Sequence, residues 1–163
     1  VPEKLPDFTT VLKALRESGA QVVLIGGVAM NAHGTDTATF DIDFAFARTR
    51  QTERAIAQAL GRFHPRPKGF PEGLPFVWDE TTVHNMTTLT LATAEGDVDF
   101  LAEPDGAPPF TELAARALEV EVFGERVLVA SIDDLIAMKR AAGRPKDLLH
   151  IMHLEAAKKR SDT

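Results

Sequence analysis

The sequence predicts a mixed α/β chain. Stretches of helical periodicity alternate along it with short β-branched or alternating apolar runs. Two of those runs, Asp41-Ile42-Asp43-Phe44 and Asp97-Val98-Asp99-Phe100, interleave carboxylates with large apolar residues. From Ser131 onward no strand pattern returns, so the C-terminus reads as helical. With 163 residues, 44% hydrophobic and 26% charged, the chain has the make-up of a globular protein. It is expected as one domain over residues 1–163, able to bury roughly 70% of its unfolded surface.

Taken in order, residues 7–18 read as an amphipathic helix, with Phe8, Val11, Leu12 and Leu15 on one stripe and Gly19 as the stop. Residues 21–25 are a β-branched run expected as a buried strand. Gly26-Gly27 breaks it, and residues 28–32 leave room for one or two helical turns. In the next strand Phe40, Ile42, Phe44 and Phe46 fall on one side, and Asp41, Asp43 and Ala45 on the other. The Phe/Ile side is expected in the core. Residues 49–60 return to a helical pattern through Ile56 and Leu60. Residues 61–76 hold Pro65, Pro67, Pro71 and Pro75 with Gly69 and Gly73, and read as a loop. That loop is either an irregular connection or a lid or acceptor-binding segment.

Residues 87–93 and 98–101 form a hairpin around Glu95-Gly96, and residues 111–118 a short helix. Residues 120–122 and 127–129 flank a turn at Gly124. Ser131, with Asp134 three residues on, opens a helix as an acidic version of a capping box. Gly143 ends that helix, and Pro145 opens a last one over residues 146–159. No internal repeat or linker interrupts the chain.

Charge and composition exclude several classes. No stretch has the length and apolarity of a membrane span or a signal sequence, so a cytoplasmic chain without a membrane partner is expected. The absence of cysteine excludes disulfides and thiolate metal sites. The net charge of −6 is uneven: residues 139–163 carry +4 and the remainder −10. An acidic body argues against non-specific wrapping of nucleic acid, while the basic C-terminal patch leaves room for the phosphates of a nucleotide or an RNA end.

Asp41 and Asp43 share one face of a strand at roughly 6.5–7 Å between Cα atoms. Like charges that close raise each other's pKa unless a cation sits between them. Asp97 and Asp99 also share a face, and one of them could meet Asp41 and Asp43 if the two strands are neighbours. Three carboxylates with no Cys or His at ligand spacing favour an oxygen-preferring cation, Mg²⁺ or Mn²⁺. A di-metal clamp on an in-line phosphoryl displacement would use all three. Gly26-Gly27, a strand stopping at two glycines before a helix, would let a phosphate approach backbone N–H groups; neither a Walker loop nor a dinucleotide fingerprint follows. Lys139 falls on the apolar stripe of Ile132, Leu135 and Ile136, where a lysine either snorkels past the core edge or points into an anionic site. Arg144, Lys146 and Asp147 follow as a compact mixed-charge corner.

Gly-Gly, a short helix, Thr-x-Asp-Ile-Asp, a later Val-Asp-Phe-Leu, and finally Asp-Leu-Ile-Ala-Met-Lys-x-x-x-Gly-Arg-Pro-Lys-Asp-Leu together resemble the nucleotidyltransferases of the polymerase-β superfamily. Within it the pattern looks most like the AbiEii-type toxin and minimal nucleotidyltransferase branch, over about residues 7–155. The resemblance implies a small mixed β-sheet flanked by helices, with a helical C-terminus. It implies that Asp41, Asp43 and Asp99 hold divalent metal, with Asp99 as general base on the acceptor. Gly26 and Gly27 would form the triphosphate loop, and Lys139, Lys146 and Asp147 the nucleotide-site corner. Family members move a nucleoside monophosphate from an NTP to a hydroxyl, here on an RNA end, a protein or a small molecule. The branch further implies the toxin of a toxin–antitoxin pair, with an antitoxin partner.

Two departures bear on activity. Gly27 and Val28 stand where many superfamily members carry a serine after the first glycine, and Thr37 stands where relatives often have an arginine. Thr35, Thr37 and Thr39 could donate weaker hydrogen bonds. A second reading is therefore a catalytically silent nucleotide- or partner-binding protein of the same fold, and a third a metal-dependent phosphohydrolase. His150 and His153, at i and i+3, are a weaker metal pair; Trp78 reads as a packing residue before a base-stacking one, His33 as structural, and His84 carries no motif.

Overall fold

The computed structural model describes residues 7–162. Among these residues seven α-helices and seven strands follow one another as α1 Thr9–Ser18, β1 Val22–Ile25, α2 Gly26–Ala32, β2 Asp41–Phe46, α3 Arg50–Leu60, β3 Arg66–Pro67, α4 Glu80–His84, β4 Thr88–Thr93, β5 Gly96–Leu101, α5 Phe110–Arg116, β6 Leu118–Val122, β7 Glu125–Val129, α6 Ile132–Ala142 and α7 Pro145–Ser161. The strands make one mixed sheet in the order β3-β4-β5-β2-β1-β7-β6. Helices flank it and close the C-terminus, as expected from the sequence. Among the described residues no helix is long and apolar enough to cross a membrane.

The centre of the sheet follows from alternation. Ile42, Phe44 and Phe46 are fully buried, and Phe100 of β5 stacks on Phe44 at 5.4 Å and meets Phe46 edge-on at 6.3 Å. The α1 stripe of Val11, Leu12 and Leu15 is buried too, joined by Ile56 and Leu60 of α3. β2 runs parallel to β5 and antiparallel to β1. Those two pairings place Asp43 opposite both Asp99 and Ile25, and Asp41 opposite Asp97.

Four expectations change. Phe40 is 66% exposed instead of in the core, because the strand starts at Asp41 and the alternation does not extend one residue upstream. Residues 61–76 are not all loop: a 3-10 turn spans Gly61–Phe63, and Arg66 and Pro67 pair with Ala92 and Leu91 as an edge strand. Leu118 belongs to β6 and not to the preceding helix, which ends at Arg116. Ser131 does cap α6, accepting from the Asp134 amide at 3.1 Å, but Asp134 does not complete a capping box. Its carboxylate instead takes two hydrogen bonds from Arg116, at 2.8 and 3.1 Å. Helix α4, which no sequence signal announced, starts at Asp79, whose side chain accepts from the Thr82 amide.

Candidate active site

Parallel pairing of β2 with β5 brings three carboxylates together. One oxygen from each of Asp41, Asp43 and Asp99 lies within 4.8 Å of the others. Among the described residues this is the one group of three or more acidic or histidine side chains close enough to hold a metal ion. Asp97 is not part of it: its carboxylate pairs with Lys68 at 3.0 Å. The register sets Asp97 opposite Asp41 and Asp99 opposite Asp43, and of the two it is Asp99 that comes within reach of both β2 carboxylates.

The cluster carries more negative charge than its surroundings tolerate. Burial, a hydrogen bond to Asp99 and the charges of Asp41 and Asp99 push the Asp43 carboxyl up to about 8. Asp43 is then the protonated partner, donating to Asp99. Burial and the charge of Asp41 also raise Asp99, whose Oδ1 is buried with no hydrogen-bond partner. An orphaned buried carboxylate oxygen among two other carboxylates is the environment a divalent cation relieves, and an all-oxygen donor set suits Mg²⁺ or Mn²⁺. The residues present fit such an ion.

Gly26 sits beneath this cluster at φ +73°, and a Cβ there would overlap the Asp43 carboxylate. A side chain is excluded twice, by backbone conformation and by space. A Cβ on Gly27 would stand 3.1 Å from Thr39, a tight contact but not an overlap; the Thr39 hydroxyl donates to the Asp41 carbonyl at 3.0 Å. Asn31 of α2 holds the intervening loop: its Oδ1 accepts from the Thr37 amide and its Nδ2 donates to the Thr37 carbonyl, both at 2.8 Å. Thr35 donates its hydroxyl to the same Oδ1. The position without an arginine is thus filled by a backbone clamp with no cation.

Helices α6 and α7 form the opposite wall of a cleft of about 740 Å³, lined on the sheet side by Gly26, Gly27, Asp41, Asp43 and Asp99. Lys139 resolves toward the anionic site: its side chain is 18% exposed, lines the cleft, reaches Asp147 Oδ1 at 3.4 Å and offsets the rise at Asp43. Asp147 is fully buried at the start of α7. Its carboxylate accepts from the Arg144 amide at 3.1 Å and from the guanidinium at 2.6 and 3.2 Å. Those bonds hold it well below the usual carboxylate range. Asp147 therefore organises the corner, and Lys139, Arg144 and Lys146 present it to the cleft.

Other candidates separate. His150 lines the cleft and is held toward the neutral form by burial and by Lys139, while His153 is exposed and lies outside the lining. Trp78 donates to the Ala57 carbonyl and His33 Nε2 meets the Ala130 carbonyl at 2.8 Å, both as packing residues, while the exposed His84 meets the buried Glu53 at 3.0 Å. Sequence reasoning missed Lys68, Asp105 and the exposed Phe40 as cleft-lining residues. The basic run at Arg66 and Lys68 was visible, but only the β3–β4 pairing turns it toward the carboxylates. A second concavity of about 530 Å³ between α1, α5 and β7 is mostly apolar and carries no carboxylate.

No family model matches the chain, and no curated protein matches it in sequence. Several solved structures share its fold, three of them as follows. The lincosamide antibiotic adenylyltransferase LnuA, in its lincomycin-bound form, superposes with a TM-score of 0.62 at 14% identity, covering 93% of this chain and 96% of its own. The antibiotic-resistance factor ANT(2'')-Ia gives 0.54 at 19%, covering 93% and 80%. TM1012 of Thermotoga maritima, assigned as a nucleotidyltransferase, gives 0.54 at 15%, covering 95% and 90%. At these identities the likeness shows a nucleotidyltransferase fold.

Proposed function

We propose that this chain is a metal-dependent nucleotidyltransferase of the polymerase-β superfamily, working as one domain, that moves a nucleoside monophosphate from an NTP to a hydroxyl acceptor. The observation that carries the reading is the in-register cluster of Asp41, Asp43 and Asp99 beside the side-chain-free turn at Gly26, within a nucleotidyltransferase fold.

Asp41, Asp43 and Asp99 would hold Mg²⁺ or Mn²⁺, which when bound supplies the charge neutralisation that phosphoryl displacement needs. Gly26 and Gly27 let the triphosphate approach the backbone closely. Lys139 and Lys146, with Arg144, face phosphate oxygens from the helical wall, and Asp147 positions Arg144 and Lys139 for that task. Asp99 takes the proton of the acceptor hydroxyl; the oxygen forms its bond to the α-phosphorus as the bond to the β-phosphate oxygen breaks, and pyrophosphate leaves along the glycine turn. A cytoplasmic place of action fits an NTP substrate, and the AbiEii-like motif order supports a toxin whose antitoxin is its partner.

A transfer assay tests the reading. Each α-labelled NTP is incubated with Mg²⁺ or Mn²⁺ and a cell extract separated into RNA, protein and small-molecule fractions. Label should enter one fraction with the wild-type chain and none with Asp41→Ala/Asp43→Ala. One observation favours a second reading, a silent nucleotide-binding protein: the Asn31 clamp puts no cation at Thr37. Metal-dependent NTP binding with no labelled product in any fraction would decide for it.

A further inference from the structure

The cleft has two unlike flanks. β2 lies between β1 and β5, so the glycine turn that follows β1 is on one side of the carboxylates and the β5–β4–β3 half of the sheet is on the other. Helices α6 and α7 wall the first side. The second is open: Thr88 and Thr90 of β4, which pair with Leu101 and Asp99 on the carboxylate face, are exposed. In-line displacement needs the attacking oxygen opposite the leaving group. If pyrophosphate leaves along Gly26 and Gly27, the acceptor approaches across β5 and β4.

On that open flank stands Lys68. Its amide donates to the Thr90 carbonyl at 2.8 Å, which fixes its backbone on the sheet edge. The segment that follows is folded on itself, because Arg66 donates to the carbonyls of Pro71 and Leu74 and lies over the Phe70 ring. The ammonium group reaches Asp97 at 3.0 Å, lines the cleft and feels the negative charge of Asp41 and Asp99. A Lys–Asp pair with side chains 58% and 33% exposed contributes little to stability. It does place one donor and one acceptor beside the attacking side of the cluster.

We propose that Lys68, paired with Asp97, is an acceptor-binding residue: its ammonium donates to an oxygen of the acceptor next to the reacting hydroxyl and holds that hydroxyl in line. The inference rests on the transferase reading above. It makes the proline-rich segment part of the active site and not only a connection.

The test uses transfer of α-labelled NTP into the extract fraction that accepts label, with two titrations: extract at saturating NTP, and NTP at saturating extract. Lys68→Ala should raise the half-saturating amount of extract about tenfold, the size of one lost charge-assisted hydrogen bond. It should leave half-saturation by NTP, and binding of Mn²⁺ with a non-hydrolysable NTP followed by electron paramagnetic resonance, within about twofold, and Lys68→Arg should restore most of the loss. Unchanged extract saturation, or a shift in NTP saturation or Mn²⁺–NTP binding instead, overturns the proposal and leaves the transferase reading standing. Restoration of Lys68→Ala by adding Asp97→Asn also overturns it, since Lys68 would then only neutralise its neighbour. No label with the wild-type chain overturns both.

Discussion

Asp43 shows how one residue's environment reports its task. Its carboxyl is raised to about 8 by burial and by neighbouring carboxylates, so the metal-free native state keeps a proton that the unfolded chain has lost. Between about pH 4 and pH 8 the native state binds more protons than the unfolded one, so stability falls as pH rises across that window. Asp99, raised in the same direction, adds to the slope. Thermal melts in a chelator from pH 5 to pH 9 should show the decline, and Asp43→Asn should flatten it. Saturating Mg²⁺ or Mn²⁺ should remove it as well, because a bound cation favours the ionised carboxylates. The residues behind this behaviour were legible: strict alternation in Asp41-Ile42-Asp43-Phe44 places both acids on the face opposite a Phe/Ile core. Phe40 was not, because alternation says which side a residue takes and not where the strand begins.

At the scale of elements, the junction of α6 with α7 is held by Asp147. Gly143 ends α6 at φ +65°, Pro145 restarts the chain, and Asp147 draws in Arg144 and Lys139 from either side. Asp147→Ala should cost about 2–3 kcal/mol in urea unfolding at pH 7, by removing charge-assisted hydrogen bonds made at a fully buried carboxylate. The sign of its pH dependence is opposite to that of Asp43. A carboxylate held below its unfolded value stabilises fully above about pH 4 and loses that contribution as pH falls further, so the wild-type and Asp147→Ala curves should converge in acid. The helix punctuation here was readable from Gly143 and Pro145 alone. The partner of Asp134 was not: Ser131-x-x-Asp134 is a capping pattern, but Arg116, on a different helix, offers a bidentate donor that the Ser131 amide cannot match.

For the whole molecule, the cleft joins one sheet face to a helical wall, so a ligand that bridges them should stabilise the entire fold. Mg²⁺ with a non-hydrolysable NTP at about a hundred times its dissociation constant should raise Tm by roughly 5–10 °C, measured by differential scanning calorimetry. The same mixture should leave Asp41→Ala/Asp43→Ala unshifted, since metal and triphosphate share that site. Local periodicity was enough to establish the alternation of helices and strands, the acid-bearing faces of β2 and β5, and the caps around α6 and α7, because each depends on neighbours within a few residues. Which strands pair, and in what register, depends on long-range packing such as Phe44 on Phe100, and that pairing carried Asp99 to Asp41 and Asp43. The same long-range pairing turned Lys68 from a residue of a proline-rich connection into a side chain on the cleft, while the packing of α7 back on α6 set Lys139 against Asp147 instead of in solvent. A carboxylate's face is a property of its own strand; its companions are a property of the sheet.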